Sequence, residues 1–204
     1  MTLLTSDTAY TALELSERVY SRSTLTVGPD AFYVEALPHK GEVHAAIAGS
    51  NDRKDWRDNF WFARKRFGDV RAQKRWYQRA EDFMMPLHEE LLAYPDLKWV
   101  IEGHSYGGAA ASCFAEIIQR VDTVVTFNSP KAFQKFYSPE AEDTIKNKSH
   151  HFINTADVVW LAPPRNKCFG NEYKRYIRGF GPEHSDFEKL GQIIHHYLGD
   201  RPAA

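Results

Sequence analysis

Cysteine is almost absent from these 204 residues: only Cys113 and Cys168 occur. A chain of this length has core enough to fold without covalent staples, so a disulfide framework is excluded as its organising principle and a reducing compartment is compatible. Long apolar runs are missing too. No stretch approaches the roughly twenty residues a helix needs to cross a bilayer. A basic leader is also lacking. Met1 to Leu15 holds no Lys or Arg and carries Asp7 and Glu14, unlike a secretory signal with a charged head and an apolar middle, and a cytoplasmic location is expected. There is no internal repeat and no low-complexity linker, so one domain spanning 1–204 is expected. The net charge is only -1, but it hides an imbalance: Arg53 to Arg79 holds ten basic residues against Asp55, Asp58 and Asp69.

What is present is an alternation of strand-like and helix-like stretches. Ala9 to Tyr20 sets Leu13, Leu15 and Val19 at helical spacing, with Ser6 or Asp7 available as a cap. Phe32 to Leu37 and Val43 to Ala48 are short apolar runs joined by Pro38-His39-Lys40-Gly41, which reads as an antiparallel hairpin. Arg71 to Tyr94 places Trp76, Ala80, Phe83, Leu87 and Leu91 three or four residues apart on one helical face, and Pro95-Asp96 ends it.

A strand at Leu97 to Glu102 leads through glycine-rich Gly103 to Gly108 into helix-forming Ala109 to Gln119. Val121 to Phe127 and His150 to Asn154 repeat the buried-strand signature. Ser185-Asp186-Phe187-Glu188 has the form of a capping box, and Phe187, Leu190, Ile194, Tyr197 and Leu198 mark the buried face of the helix it would start. The order predicts an α/β fold of the α/β-hydrolase type: a mostly parallel central sheet with an N-terminal antiparallel hairpin and flanking helices.

The chemistry centres on Gly103-His104-Ser105-Tyr106-Gly107. A serine hydroxyl is a weak nucleophile. It becomes useful when a tight strand-to-helix turn thrusts it toward a base and toward donors for an oxyanion, and that turn needs small residues two before and two after the serine. In this fold a carboxylate and then a histidine follow in chain order. Asp157, just past the strand ending at Asn154, would lie at the carboxyl edge of the sheet, where ligands bind. Asp122 opens a strand at the opposite end, and Asp143 lies in a charged connection.

His184 precedes the last helix and can swing to the nucleophile, whereas His195 and His196 lie inside it unless that helix starts later. His39, His44, His88, His150 and His151 read as structural or exposed. His104 and Cys113 read as packing residues. This chemistry requires no metal and no cofactor.

With these residues in hand, the chain resembles the class 3 lipase family. The likeness runs from about Val43 to the C-terminus through Ala48-Gly49-Ser50, Asp55-Trp56, the serine motif, Thr126-Phe127-Asn128-Ser129-Pro130, and Asp157-Val158-Val159 followed by Leu161-Ala162-Pro163-Pro164. The resemblance implies an oxyanion site at Ser50 and at the backbone N–H of Tyr106, and a triad of Ser105, Asp157 and His184. It also implies hydrolysis of carboxylic esters, with acyl lipids as the substrate class; a thioesterase or a small-ester esterase would use the same triad. Three departures stand out. Ala48 occupies a position where the family usually has arginine, Asn128 one where it has glycine, and no histidine-glycine-phenylalanine stretch occurs near Val70.

Segment 53–79 interleaves its cations with Trp56, Phe60, Trp61, Phe62, Phe67, Trp76 and Tyr77. If the aromatics face out, the segment is an interfacial element touching an anionic membrane. If they turn inward, the charges coat an ordinary surface. A third use, a silent module holding nucleic acid, needs phosphate contacts and stacking faces but no Ser105.

Overall fold

The computed structural model describes residues 3–28, 30–49, 63–157, 159–163, 165–177 and 186–201. In chain order the elements are α1 (Ser6–Arg18), β1 (Leu25–Val27), β2 (Asp30–Leu37), β3 (Glu42–Ile47), β4 (Arg64–Phe67), β5 (Val70–Gln73), α2 (Lys74–Leu92) and β6 (Lys98–His104). There follow α3 (Tyr106–Ile117), β7 (Thr123–Phe127), β8 (Phe133–Phe136), α4 (Pro139–Lys148), β9 (Ser149–Asn154), β10 (Asn171–Arg175) and α5 (Phe187–Leu198).

Seven strands form the central sheet in the order β1-β2-β3-β6-β7-β9-β10, and β4-β5-β8 form a smaller one. The predicted hairpin is β2 and β3, antiparallel with Phe32 opposite Ile47 and Leu37 opposite Glu42. From β3 onward every neighbouring pair in the large sheet is parallel. The expected α/β architecture is therefore the observed one.

Helices cover both faces. Alternation along β6 sends Trp99 and Ile101 into the core shared with α2 and α3, and Val100 into the core shared with α1 and α5. On α2 the residues Trp76, Ala80, Phe83, Leu87 and Leu91 are all buried, as their spacing predicts. Burying each large side chain of this stripe contributes about 1.5–3 kcal/mol.

Several boundaries differ from the sequence reading. α2 starts at Lys74 rather than Arg71, because residues 70–73 pair with both β4 and β8, and the Gln73 side chain caps the helix by accepting from Trp76 N–H at 2.8 Å. α1 begins earlier than expected and is capped by Thr5, which accepts from Thr8 N–H. At the last helix the cap is Asp186, accepting from Lys189 N–H at 3.0 Å, so α5 starts one residue later than a Ser185 capping box would place it; Ser185 itself lies outside the described residues.

One charged cluster sits inside the fold. His44 on β3 is fully buried, with Nε2 3.1 Å from Glu42 and Nδ1 3.4 Å from the fully buried Glu102 on β6. Glu42 also accepts from Thr8 on α1 at 2.9 Å. Burial opposes a charge on the ring, but Glu102 and then Glu42 outweigh it and push the imidazole up to about 9 from an ordinary 6.5.

A raised histidine contributes stability that is complete below about 6.5 and lost as pH climbs through about 9. The melting temperature should accordingly fall between neutral pH and about pH 10, and the Glu102→Gln protein should begin that fall at lower pH. Thermal melts across this range check it; an alkaline limb identical in the two proteins would remove the cluster from the account.

Candidate active site

β6 ends at His104 and α3 begins at Tyr106, so Ser105 alone makes the turn between them. It adopts φ 56° and ψ -130°, a positive φ that side chains with a Cβ rarely occupy. Such a conformation costs on the order of 1–3 kcal/mol and persists only where its surroundings enforce it. Here Ser105 N–H donates to Phe127 O on β7 at 2.9 Å, and Gly108 N–H donates to Ser105 O at 3.0 Å.

The flanking glycines make the turn sterically feasible. A Cβ on Gly103 would lie 2.6 Å from both Gly107 O and Gly108 N, because the first turn of α3 folds back over the end of β6. A Cβ on Gly107 would overlap the Ile47 carbonyl oxygen and sit 3.0 Å from the Ala48 carbonyl carbon, because α3 also presses on β3. The motif spacing thus records two close backbone crossings. Tyr106, as the first residue of α3, has a backbone N–H that no carbonyl within the helix can accept. Its side chain points elsewhere, buried under the Arg79 guanidinium at 4.5 Å.

The end of β3 meets the same turn. A Cβ on Gly49 would be 3.5 Å from Ser105 Cβ and 3.0 Å from His104 O, which puts Gly49 against the Ser105 turn. Gly49 N–H donates to the Tyr20 hydroxyl at 3.2 Å, and that hydroxyl is hydrogen-bonded to His104 Nδ1 at 3.1 Å. Burial, partly offset by the Gly49 N–H, pushes the Tyr20 phenol up to about 12, so it stays neutral.

Sequence reasoning took Tyr20 only as the end of a helix. The signal that could have found it is a phenol at the last turn of an apolar-faced helix, a residue that needs a polar partner once buried. Ser50 lies outside the described residues. Ala48 is buried beside Leu15, Val19 and Tyr33.

Asp157 stands three residues past the end of β9, at the same carboxyl edge as Ser105, with β7 between their two strands. Its carboxylate accepts from Val159 N–H at 2.9 Å, and its own N–H donates to Asn154 O. Asn128, which follows β7, has φ 46°, so the departure from glycine keeps the left-handed backbone with a residue that tolerates it. Its side-chain oxygen accepts from Asn154 N–H at 2.8 Å and ties the ends of β7 and β9 together.

His184 lies outside the described residues. The helix after it does not: the Phe187 ring packs against His104 at 5.0 Å and against Tyr20 at 6.4 Å between centroids. His195 and His196 occupy the last turn of α5 and are exposed, and His195 pairs with Asp200 at 2.9 Å. Helical rise puts them about 12 Å along the axis from Phe187, away from the turn at Ser105.

Other titratable groups have structural roles. His151 lies between Thr126 Oγ1 at 2.7 Å and Phe169 O at 3.1 Å, and burial holds it below its usual range; burial and then His151 push His150 down to about 4. Both cysteines are free. Burial raises the Cys113 thiol well above its usual range, and burial followed by Glu172 pushes Cys168 up to about 12, so neither is a thiolate near neutral pH. Among the described residues no group of three His, Cys, Asp or Glu is placed to hold a metal ion, and no helix is long and apolar enough to cross a membrane.

The arrangement is that of a hydroxyl raised on a strained turn at the carboxyl edge of a parallel sheet, with a helix N-terminus behind it. A family model, lipase (class 3), matches residues 44–167. Among solved structures the chain is similar to the lipase from Rhizopus microsporus var. chinensis, with 17% identity and a TM-score of 0.60 over 78% of this chain and 61% of that one. It is also similar to nonglycosylated Lip2 lipase of Yarrowia lipolytica, with 14% identity and a TM-score of 0.63 over 81% and 77%.

A third neighbour is a triacylglycerol lipase described as having a serine protease triad as its catalytic centre, at 19% identity and a TM-score of 0.58 over 75% and 64%. The chain spans about three fifths of the length of the first fungal lipase it matches. No curated protein matches the sequence.

Proposed function

Because the chain belongs to the class 3 lipase family, we propose that it hydrolyses carboxylic esters of acyl lipids through an acyl-enzyme on Ser105. The observation that carries this reading is the Ser105 backbone, held at φ 56° between β6 and α3 with a first-turn N–H beside it. Ser105 Oγ attacks the ester carbonyl while His184 takes its proton. The tetrahedral oxyanion is held by the backbone N–H groups of Ser50 and Tyr106, and loss of one such donor typically costs about a hundredfold or more in turnover. His184 then gives the proton to the departing alcohol, water enters under the same base, and the acid leaves. Asp157 orients the ring and stabilises its charged form.

One ring contact and one limit on chain length support the histidine assignment. Phe187 packs on His104, the residue before the nucleophile, and His184 is only three residues upstream of Phe187, a reach of at most about 11 Å. The free cysteines favour a cytoplasmic location.

A fluorophosphonate probe, with intact mass and peptide mapping, tests the nucleophile: one adduct on Ser105 is expected. A panel of short-chain esters, long-chain glycerides, thioesters and phospholipids tests the substrate class, with long-chain acyl esters expected to give the highest kcat/KM. An adduct elsewhere sinks the nucleophile, and preference for thioesters moves the activity to the competing class.

A further inference from the structure

The small sheet carries a charge distribution that the active site does not use. Its three strands, β4, β5 and β8, contain Arg64, Lys65, Arg66, Arg71 and Lys135 and no carboxylate, in a chain whose net charge is -1. The register is more telling than the composition. Arg66 lies directly opposite Arg71, and Arg71 directly opposite Lys135, so three cations stand in one row across three strands. All three are exposed, and among the described residues none makes an ion pair with a carboxylate. Like charges directly opposite on a sheet destabilise it, so folding alone does not account for this row. Tyr137 lies at its edge, with Arg66 at 4.3 Å and Lys135 at 4.7 Å from the ring centroid.

The aromatics of the same region turn the other way. Phe67 stacks on Tyr77 at 4.1 Å, Trp76 and Tyr77 are buried on α2, and Phe133 and Phe136 pack against Phe169. In the described part of 53–79 Lys65, Arg66, Arg71, Lys74 and Arg75 face water, Arg64 and Arg79 are partly buried, and Trp76 and Tyr77 face the core. Base stacking needs an open ring face, and on the described residues of this sheet the exposed ring, Tyr137, is flanked by two cations.

We infer that the outer face of the β4-β5-β8 sheet is a docking surface for an anionic phospholipid bilayer, with the Arg66–Arg71–Lys135 row meeting headgroup phosphates. The choice of a bilayer as the occupant rests on the acyl-lipid reading of Ser105, since an enzyme for such substrates has to reach them where they are packed. Charge complementarity supplies the rest: each cation near an anionic surface strengthens binding about fivefold, so three contribute about a hundredfold, and the gain fades as salt shortens the screening length.

The test is made on the full chain carrying Ser105→Ala, so that vesicle binding is measured without any hydrolysis and fails or succeeds independently of the proposed activity. Co-sedimentation with vesicles containing about 30% phosphatidylserine is expected, with little on pure phosphatidylcholine and a steep loss between about 0.05 and 0.3 M salt. Adding Arg66→Gln, Arg71→Gln and Lys135→Gln together should weaken binding about a hundredfold, while the melting temperature holds or rises because the opposed charges are gone. The same loss of three charges at Arg22, Lys98 and Lys146 should leave binding within a fewfold of the parent. Equal binding to neutral vesicles, an unweakened triple variant, or salt-sensitive binding to an oligonucleotide in place of vesicles would each overturn the assignment.

Discussion

Gly107→Ala is expected to abolish folding or lower the melting temperature by about 10 °C or more. Overpacking a core position usually costs about 1–3 kcal/mol when side chains can yield. At Gly107 the obstacle is the backbone of β3: the new methyl would overlap the Ile47 carbonyl and crowd Ala48. Relieving the overlap means moving α3 off the sheet, and in a domain of this size each lost kcal/mol lowers the midpoint by about 2–4 °C. Gly191→Ala makes the contrast. That glycine lies inside α5 with Leu13 Cδ2 at an ordinary 3.7 Å, so alanine there should raise the midpoint by a few degrees through helix propensity worth about 1 kcal/mol. Thermal melts of the two proteins side by side settle the matter. A Gly107→Ala protein as stable as its parent would mean that the crossing of α3 and β3 is looser than described.

Ser105→Ala should lower short-chain ester turnover by about 10^4-fold or more without lowering stability, since removal of the nucleophile leaves only oxyanion and binding contributions. The substitution removes no hydrogen bond that supports the turn, because Ser105 is anchored there through its backbone. His184→Ala should fall to a similar level, and the double variant should be no worse than either single one, because the members of a triad act as a unit. His195→Ala and His196→Ala should stay within a fewfold of the parent, as exposed residues in the last turn of α5. Burst and steady-state kinetics on a soluble ester check all five. Near-normal turnover in His184→Ala with loss in His195→Ala or His196→Ala would place the base on α5 and undo the histidine assignment.

The parts of the fold visible in the sequence are those whose burial is periodic. The α2 stripe, the β2–β3 hairpin, and the runs that became β6, β7 and β9 all carry apolar residues at the spacing of their element. The short polar strands escaped. β4 is Arg-Lys-Arg-Phe and β10 is Asn-Glu-Tyr-Lys-Arg, both half-buried segments whose strand character comes from neighbours far along the chain. The same non-local pairing moved the start of α2 from Arg71 to Lys74. Of the proposed site residues, the tight turn at Ser105 was legible because it imposes local glycine spacing, and the place of Asp157 at the sheet's carboxyl edge because it follows a strand. Tyr20 was not, since its role depends on a partner turn twenty-nine residues away at Gly49. The cation row was legible as composition, but its alignment needed the register of three strands.

Tyr20 also changes what α1 is for. The residue sits just beyond that helix and holds the chain at Gly49 through a single oxygen that also reaches His104. Fraying of the first helix would therefore be felt at the Ser105 turn as well as in the core that α1 helps to build. Under the proposed function, turnover would double as a gauge of whether the N-terminal helix is seated.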